Sequence, residues 1–588
     1  MRRNEIATEL TWDLHAFFED QQAFDDTCEK AKQQLHIVTS YQGHITDTRD
    51  HFLQFFKEYE HLLQITENLS VYANMCADVD PEDTLVQENL SKSESIYDTQ
   101  VSALSFLENE LIAKKAIIET YLEDESASDL RFYLSEIFRS IPYRLDDAGE
   151  ELLAQVYQLA RIPEDTFKSF QLRFEPVMVD GKEAFLNGAT YSTFLKHKDV
   201  KVRKEAFEHY MKEYQEYQNV FMNTLSGHIK GQTLMAKTRH FDHALHASLY
   251  EDGVDESLFY KVLDMSNMKY HSYLEEYFLL RKEILQLDTQ HVYDIQLSLI
   301  TSLDIHYTID ECFSIMDQAL APLGEDYVAL LHQARQERWI DFMPCAGKRI
   351  GAYSWGTYDS RPYVLTNFNG DYDSLSTLAH ELGHSMHSYF SWKHHRYLNA
   401  SYRIFVAEVA STVNELLLNH YLLKHSKDDH EKAYILDNLM TQLITTLYRQ
   451  PMYAQFEVDL YHWIENQEAL SSQKITQHYL DLSKAYYGPG VEVDELQRYG
   501  CYHIPHFYFN FYVYKYTVGM SIAISFMKRI LKGDVEAYRT FLTKGCSESC
   551  LDELLHAGVD PREDQVYDDA FTFFKESLDQ FKSLMIKK

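Results

Sequence analysis

The run Thr377-Leu378-Ala379-His380-Glu381-Leu382-Gly383-His384-Ser385-Met386-His387 contains the pattern His-Glu-x-x-His. On a helix, residues four apart lie one turn above each other, so His380 and His384 point the same way. Two imidazoles on one face can begin a tetrahedral zinc site. Glu381 sits beside them, placed to take a proton from a metal-bound water. With 28 histidines in the chain, chance supplies the pattern in roughly one such sequence in ten, so the surroundings must decide.

A catalytic zinc normally takes three protein ligands and leaves the fourth position to water. One continuation, His384-x-x-Gly-x-x-His, is excluded at once, because His387 and Phe390 stand at the glycine and histidine places. The other common solution is a glutamate from a following helix. Ile404-Phe405-Val406-Ala407-Glu408-Val409-Ala410-Ser411-Thr412-Val413-Asn414-Glu415 offers two, seven apart and so on one face. Glu408 lies among small apolar neighbours, where a lone carboxylate is costly unless it meets a cation. It is the preferred third ligand. Glu415, two turns on, can accept a ring N–H from a ligating histidine, and is the alternative ligand. His387 reaches the same side of the helix, for substrate contact or for support. Gly383 inside a helix costs about 1 kcal/mol relative to Ala, which makes sense if another backbone passes close by.

The elements that position these residues are mostly helices. Only 20 Gly and 11 Pro in 588 residues leave few turns, and 45% hydrophobic content is ample for large interiors. That length calls for at least two domains. Residues 15 to 160 carry apolar residues at three- and four-residue spacing, as in His51-Phe52-Leu53-Gln54-Phe55-Phe56. Around Asp180-Gly181 two apolar runs predict a hairpin. A boundary near 190–200 then separates an N-terminal helical domain, 1–195, from a catalytic domain, 196–588. A second non-helical patch, 348–370, predicts two short strands at Gly351–Gly356 and Pro362–Asn367, turning at Asp359-Ser360-Arg361. Asp373 or Ser374 can cap the helix that follows.

The net charge of −36 disfavours nucleic acid and anionic membranes as partners. Seven scattered cysteines show no pairing framework, and the N-terminus lacks an apolar signal core. Both predict a cytoplasmic protein. No stretch reaches the length of a membrane span.

Three segments together resemble the oligoendopeptidase F group of the thimet-oligopeptidase-like zinc peptidases. They are Gly351-Ala-Tyr-Ser-Trp-Gly-Thr-Tyr-Asp-Ser-Arg-Pro-Tyr-Val-Leu-Thr-Asn, the His380 motif, and His503-Ile-Pro-His-Phe-Tyr-Phe-Asn-Phe-Tyr-Val-Tyr. The start, Glu5-Ile6 through Trp12-Asp13-Leu14, is similar too, so the resemblance spans nearly the whole chain. It implies a mainly α fold: two helical halves around a deep substrate channel, one zinc ion at its floor, and a small β patch beside the zinc helix. It implies hydrolysis of internal bonds in short peptides. Matched motif to motif, it puts the zinc ligands on His380, His384 and Glu408, and the general base on Glu381. The spacing of His503, Tyr508 and Tyr512 matches groups that steady the substrate and its oxyanion, with Tyr514 or His506 as alternatives. Alternation alone reads Tyr508–Tyr516 as a buried strand. The resemblance instead implies a helix with Tyr508 and Tyr512 one turn apart.

Two rival functions remain at this level. A related helical zinc carboxypeptidase or peptidyl-dipeptidase would share the chemistry but need a cation for the chain end, with Arg361 and Arg403 as candidates. A helical binding protein with an accidental motif is disfavoured. Structural zinc sites commonly close with cysteine, and none of the seven lies near His380.

Overall fold

The computed structural model describes residues 2–300 and 305–586. The chain is mainly helical with a small sheet patch. It divides into two compact units, each assembled from three separate stretches. The first comprises 1–142, 305–421 and 526–559, and the second 143–304, 422–525 and 560–588. Among the described residues, no helix is long and apolar enough to cross a membrane.

The first unit begins with helices Gln21–Thr39, Arg49–Val79 and Thr84–Ala103. The middle one starts where the Thr48 side chain accepts the His51 N–H and stops at Asp80-Pro81. It buries Phe52, Phe55, Phe56 and Leu62, the helical stripe legible in the sequence, against Leu107, Leu111 and Leu134. Its far end braces the sheet. Tyr353 donates its hydroxyl to Asp78 (2.9 Å), and the Arg349 N–H donates to the Asp78 carbonyl (2.7 Å).

That sheet has three strands: β3 (Ile340–Asp341), β4 (Tyr353–Trp355) and β5 (Tyr363–Leu365), in the order β3-β5-β4. The expected pair, β4 and β5, is antiparallel with Ser354 opposite Val364; β3 joins β5 in parallel. The N-terminal residues lash onto it. Phe342 donates its N–H to the Leu10 carbonyl (3.0 Å), and Tyr363 its hydroxyl to that of Asp13 (2.8 Å). Arg3 grips Asp341 with two nitrogens (2.8 and 2.5 Å). Asp341 is fully buried and also takes the buried Lys348 ammonium at 2.7 Å, so the carboxylate is compensated on both sides.

The second unit contains the hairpin foreseen at Asp180-Gly181. β1 (Val177–Val179) pairs with β2 (Lys182–Ala184), and both turn residues have positive φ (50° and 76°), as a two-residue hairpin turn requires. Helices Val200–Glu216, Gln218–Thr238, Gln450–Glu465 and Ser472–Tyr487 supply much of its interior. A buried pair, Arg203 with Asp294 at 2.7 Å, ties the first of these to the segment near residue 292.

A candidate metal centre

The motif lies on a single helix, Tyr372–His394. Its cap is Asp371, whose side chain accepts the Ser374 N–H (2.8 Å), rather than Asp373 or Ser374 as expected. The reason is local: Gly370 has φ of 82°, so the chain turns there and Asp371 is the first residue able to cap. The next long helix, Ile404–His425, carries both glutamates. The two helices touch backbone to backbone at Gly383. A Cβ there would stand 2.6 Å from Ser411 Cα and 2.8 Å from the Ala410 carbonyl oxygen, which accounts for the glycine. A buried Asn414 pins the crossing, donating to the Ala379 carbonyl (3.0 Å) while accepting from Tyr327 (2.9 Å).

His380, His384 and Glu408 converge, with one ligand atom from each all within 4.8 Å of one another. Glu408 Oε2 is 3.4 Å from His380 Nε2 and 3.6 Å from His384 Nε2. Donors about 2.0–2.1 Å from one tetrahedral ion stand about 3.3–3.5 Å apart, so the three side chains fit a zinc ion. Glu415 takes the other face of His380, 3.3 Å from Nδ1, and itself accepts from Ser376 (3.1 Å). Glu408, and not Glu415, converges with the two histidines on one point.

In the protein alone these groups share a proton. Burial opposes charge on His380, yet Glu408 and Glu415 hold its pKa well above the imidazole range. Burial, then the charge of His380, pushes His384 down to about 4. Burial raises Glu408, but the His380 hydrogen bond prevails and brings it to about 2. A dication at the shared point would displace that proton and leave two neutral imidazoles and a carboxylate. Glu381 is 7% exposed, and burial, against the pull of His380, lifts its carboxyl to about 7. A backbone hydrogen bond from Ser354 holds it, a partner the sequence did not announce. β4 is an edge strand, so the peptide groups beside Glu381 lie at the sheet margin. His387 does not join the cluster. It is fully buried, stacked on Tyr402 at 3.8 Å, and burial lowers it to about 3.

The aromatic segment of the second unit departs from expectation. Tyr508 and Tyr512 do not share a helix. A short turn, Pro505–Tyr508, ends at Tyr508, and the helix resumes only at Tyr514. Between them Asn510 and Phe511 both have positive φ (51° and 58°). Long-range bonds impose this bend: the Phe511 N–H donates to the buried Glu457 (2.8 Å), and Ser248 donates to the Asn510 carbonyl (2.7 Å). The Asn510 side chain meets His228 (2.9 Å) and Tyr461 (3.2 Å). Glu457 was missed by sequence reasoning, since an acid on a helix gives no sign of a partner 54 residues away.

The hydroxyl of Tyr508 is shared with Thr224 (2.8 Å) and its ring stacks on Phe167. Tyr514 is buried and donates to Asp252 (3.2 Å). Tyr512 stays half-buried, edge-on to Tyr516, with the Lys515 ammonium 5.5 Å over its ring. His503 is half-buried beside Tyr210 and Tyr214, with Nδ1 unpartnered; burial and then Arg449 lower it to about 4. His506 stands edge-on to Phe509 and Tyr516. Of the two arginines considered for a chain end, Arg361 pairs with Glu337 (2.9 Å) and Arg403 with Glu136.

Comparison with known proteins agrees. The sequence model of Peptidase family M3 matches residues 193–573, and that of Oligopeptidase F matches 111–172. The chain is 33% identical to oligopeptidase PepF of Bacillus subtilis (strain 168), over 100% of this chain and 88% of that protein. It is 32% identical to the chromosomal oligoendopeptidase F of Lactococcus lactis subsp. cremoris, over 100% and 99%. A solved putative peptidase from Chlamydophila abortus superimposes with a TM-score of 0.92 at 29% identity, covering 99% of both chains. Oligoendopeptidase-F from Enterococcus faecium gives 0.73 at 28%, over 96% of this chain and 99% of that one. The chain thus belongs to Peptidase family M3, as a metalloendopeptidase of the oligoendopeptidase F group.

Proposed function

We propose that this protein is a zinc-dependent endopeptidase that cuts internal bonds of short oligopeptides. His380, His384 and Glu408 hold one ion, and Glu381 is the general base. The observation that carries this reading is the convergence of the three donor sets at separations that suit a tetrahedral ion. A zinc ion held there would lower the pKa of a water to about 7 and polarise a carbonyl.

The chain's own groups do the rest. Glu381, held by the Ser354 backbone, accepts the proton of the attacking water and returns it to the leaving amine. Glu415 fixes the ring of His380 through Nδ1, which leaves Nε2 free to hold a metal. The margin of the sheet at Gly351–Tyr353 pairs with the substrate main chain, which asks for no particular side chain. Tyr512, with His503 beside it in the motif, is assigned to the oxyanion on their spacing in the sequence. Tyr508 shares its hydroxyl with Thr224 and so supports the segment instead of donating. The seven cysteines form no disulfide, which supports a reducing, cytoplasmic setting.

An internally quenched peptide blocked at both ends tests the reading. Purified protein should cleave it, lose that activity to a chelator and recover it with stoichiometric zinc. Cleavage only of peptides with a free end would favour the end-trimming alternative, and indifference to chelator would remove the metal.

A further inference from the structure

Among the described residues β4 pairs with β5 alone, so its other margin is unpaired. Its two faces differ. Ser354 points to the metal helix: its hydroxyl shares a hydrogen bond with that of Ser385 (2.8 Å), which donates to the Glu381 carbonyl (3.0 Å). Alternate residues of a strand face opposite ways, so Tyr353 and Trp355 lie together on the other face. Residues paired across an antiparallel ladder share a face, which puts Leu365 and Tyr363 of β5 beside them.

Over β5 that face is covered. Tyr363 is fully buried, with Phe17 stacked on it at 5.4 Å and Trp12 edge-on at 6.3 Å. Over β4 the cover stops. Of the five tryptophans, all among the described residues, Trp355 alone is exposed, at 38%. It is also oriented. Its ring stands edge-on to Tyr353 at 6.0 Å, and Tyr353 is fixed by its hydroxyl on Asp78 and by the Arg349 guanidinium 5.6 Å over its ring. An exposed apolar side chain on an unpaired strand edge invites association, which proteins ordinarily blunt. This strand instead keeps a placed aromatic surface, two residues from the margin assigned to the substrate main chain.

We propose that Trp355 is a specificity residue whose ring receives one large apolar or aromatic side chain of the bound peptide. A peptide that extends the sheet at β4 lies about 4.8 Å from it and sends every second side chain to the Trp355 face. The side chain opposite Trp355 then has its Cβ about 5 Å away, within reach of the indole. The ring is already placed, so binding costs little ordering. Ser354 ties the strand to the helix that carries Glu381, so the favoured residue occupies one fixed position relative to the cut bond. The inference rests on the sheet pairing of the peptidase reading above and adds to it the chemistry of a preferred residue.

Internally quenched alanine-rich peptides, blocked at both ends, test it. A single Leu or Phe is moved one position at a time through the residues on either side of the cut. Wild type should prefer Leu or Phe over Ala by about tenfold to a hundredfold in kcat/KM at one position. Trp355→Ala should bring that ratio to about one with zinc content unchanged, and Trp355→Phe should keep part of it. A wild-type ratio near one at every position overturns the proposal, whether or not the variants fold. So does an undiminished ratio in Trp355→Ala. Chelator-sensitive cleavage of the all-alanine parent judges the peptidase reading separately. Where no peptide is cut, binding decides: unlabelled Phe peptides should shift tryptophan emission to the blue in Glu381→Gln and not in the double variant with Trp355→Phe. An equal response in the two proteins, or none in either, overturns the proposal.

Discussion

The metal cradle and the aromatic segment 503–516 achieve position by opposite means. In the cradle, the candidate ligands ride on two regular helices whose backbones touch at Gly383 and Ser411, and two of the three have a polar neighbour: Glu415 for His380, Ser411 for Glu408. In the segment, no regular element spans Tyr508 to Tyr512. Two consecutive left-handed residues are held open by Glu457, Ser248, His228 and Tyr461. A metal ligand must hold its place continuously, and rigid helices provide that. A hydroxyl that meets a transient charge needs only a defined direction, which a clamped bend can supply.

The contrast predicts different failures. The largest is chemical. Glu381→Gln should retain near-stoichiometric zinc and lose activity by about a thousandfold or more, read by metal analysis beside kcat/KM. Glu408→Ala should lose both zinc and activity; retained zinc would pass the ligand role to Glu415. Next, Tyr512→Phe should lower kcat by about a hundredfold to a thousandfold with KM little changed, and equal effects on both would reduce it to a binding group. Glu415→Ala should weaken zinc binding by about tenfold to a hundredfold in a competition titration, while the aromatic segment is undisturbed.

The smallest effect belongs to the clamp. Burial raises Glu457 to about 8, far above the usual carboxylate value, so the folded protein keeps it protonated where the unfolded chain has lost the proton. Its stabilising share is complete below the unfolded carboxylate pKa of about 4.3 and fades as pH rises towards 8. Glu457→Gln should flatten the fall of Tm between pH 5 and 8. An unchanged slope would mean that the bend is held by other groups.

Much of the cradle was legible because helical spacing is local information. His380, His384, Glu408 and Glu415 were placed by counting turns, and the closeness behind Gly383 followed from the cost of a glycine there. The Asp180-Gly181 turn was equally local. The bend at Asn510-Phe511 was not. Phe511 has no intrinsic reason to take positive φ, and the group that makes it do so is 54 residues away on a different helix. β3 is too short, at two residues, to leave a pattern. The interleaving of the two units leaves no trace in composition, since each segment is helical in the same way.

The lash of Arg3 on Asp341 joins residues 338 apart. At about 5–20 residues per second, a ribosome leaves that arginine waiting roughly 15–70 s for its acid. The nascent first unit therefore exists for that interval as a helical fragment without its sheet. Residues 380, 384 and 408, which the cradle needs, emerge later still.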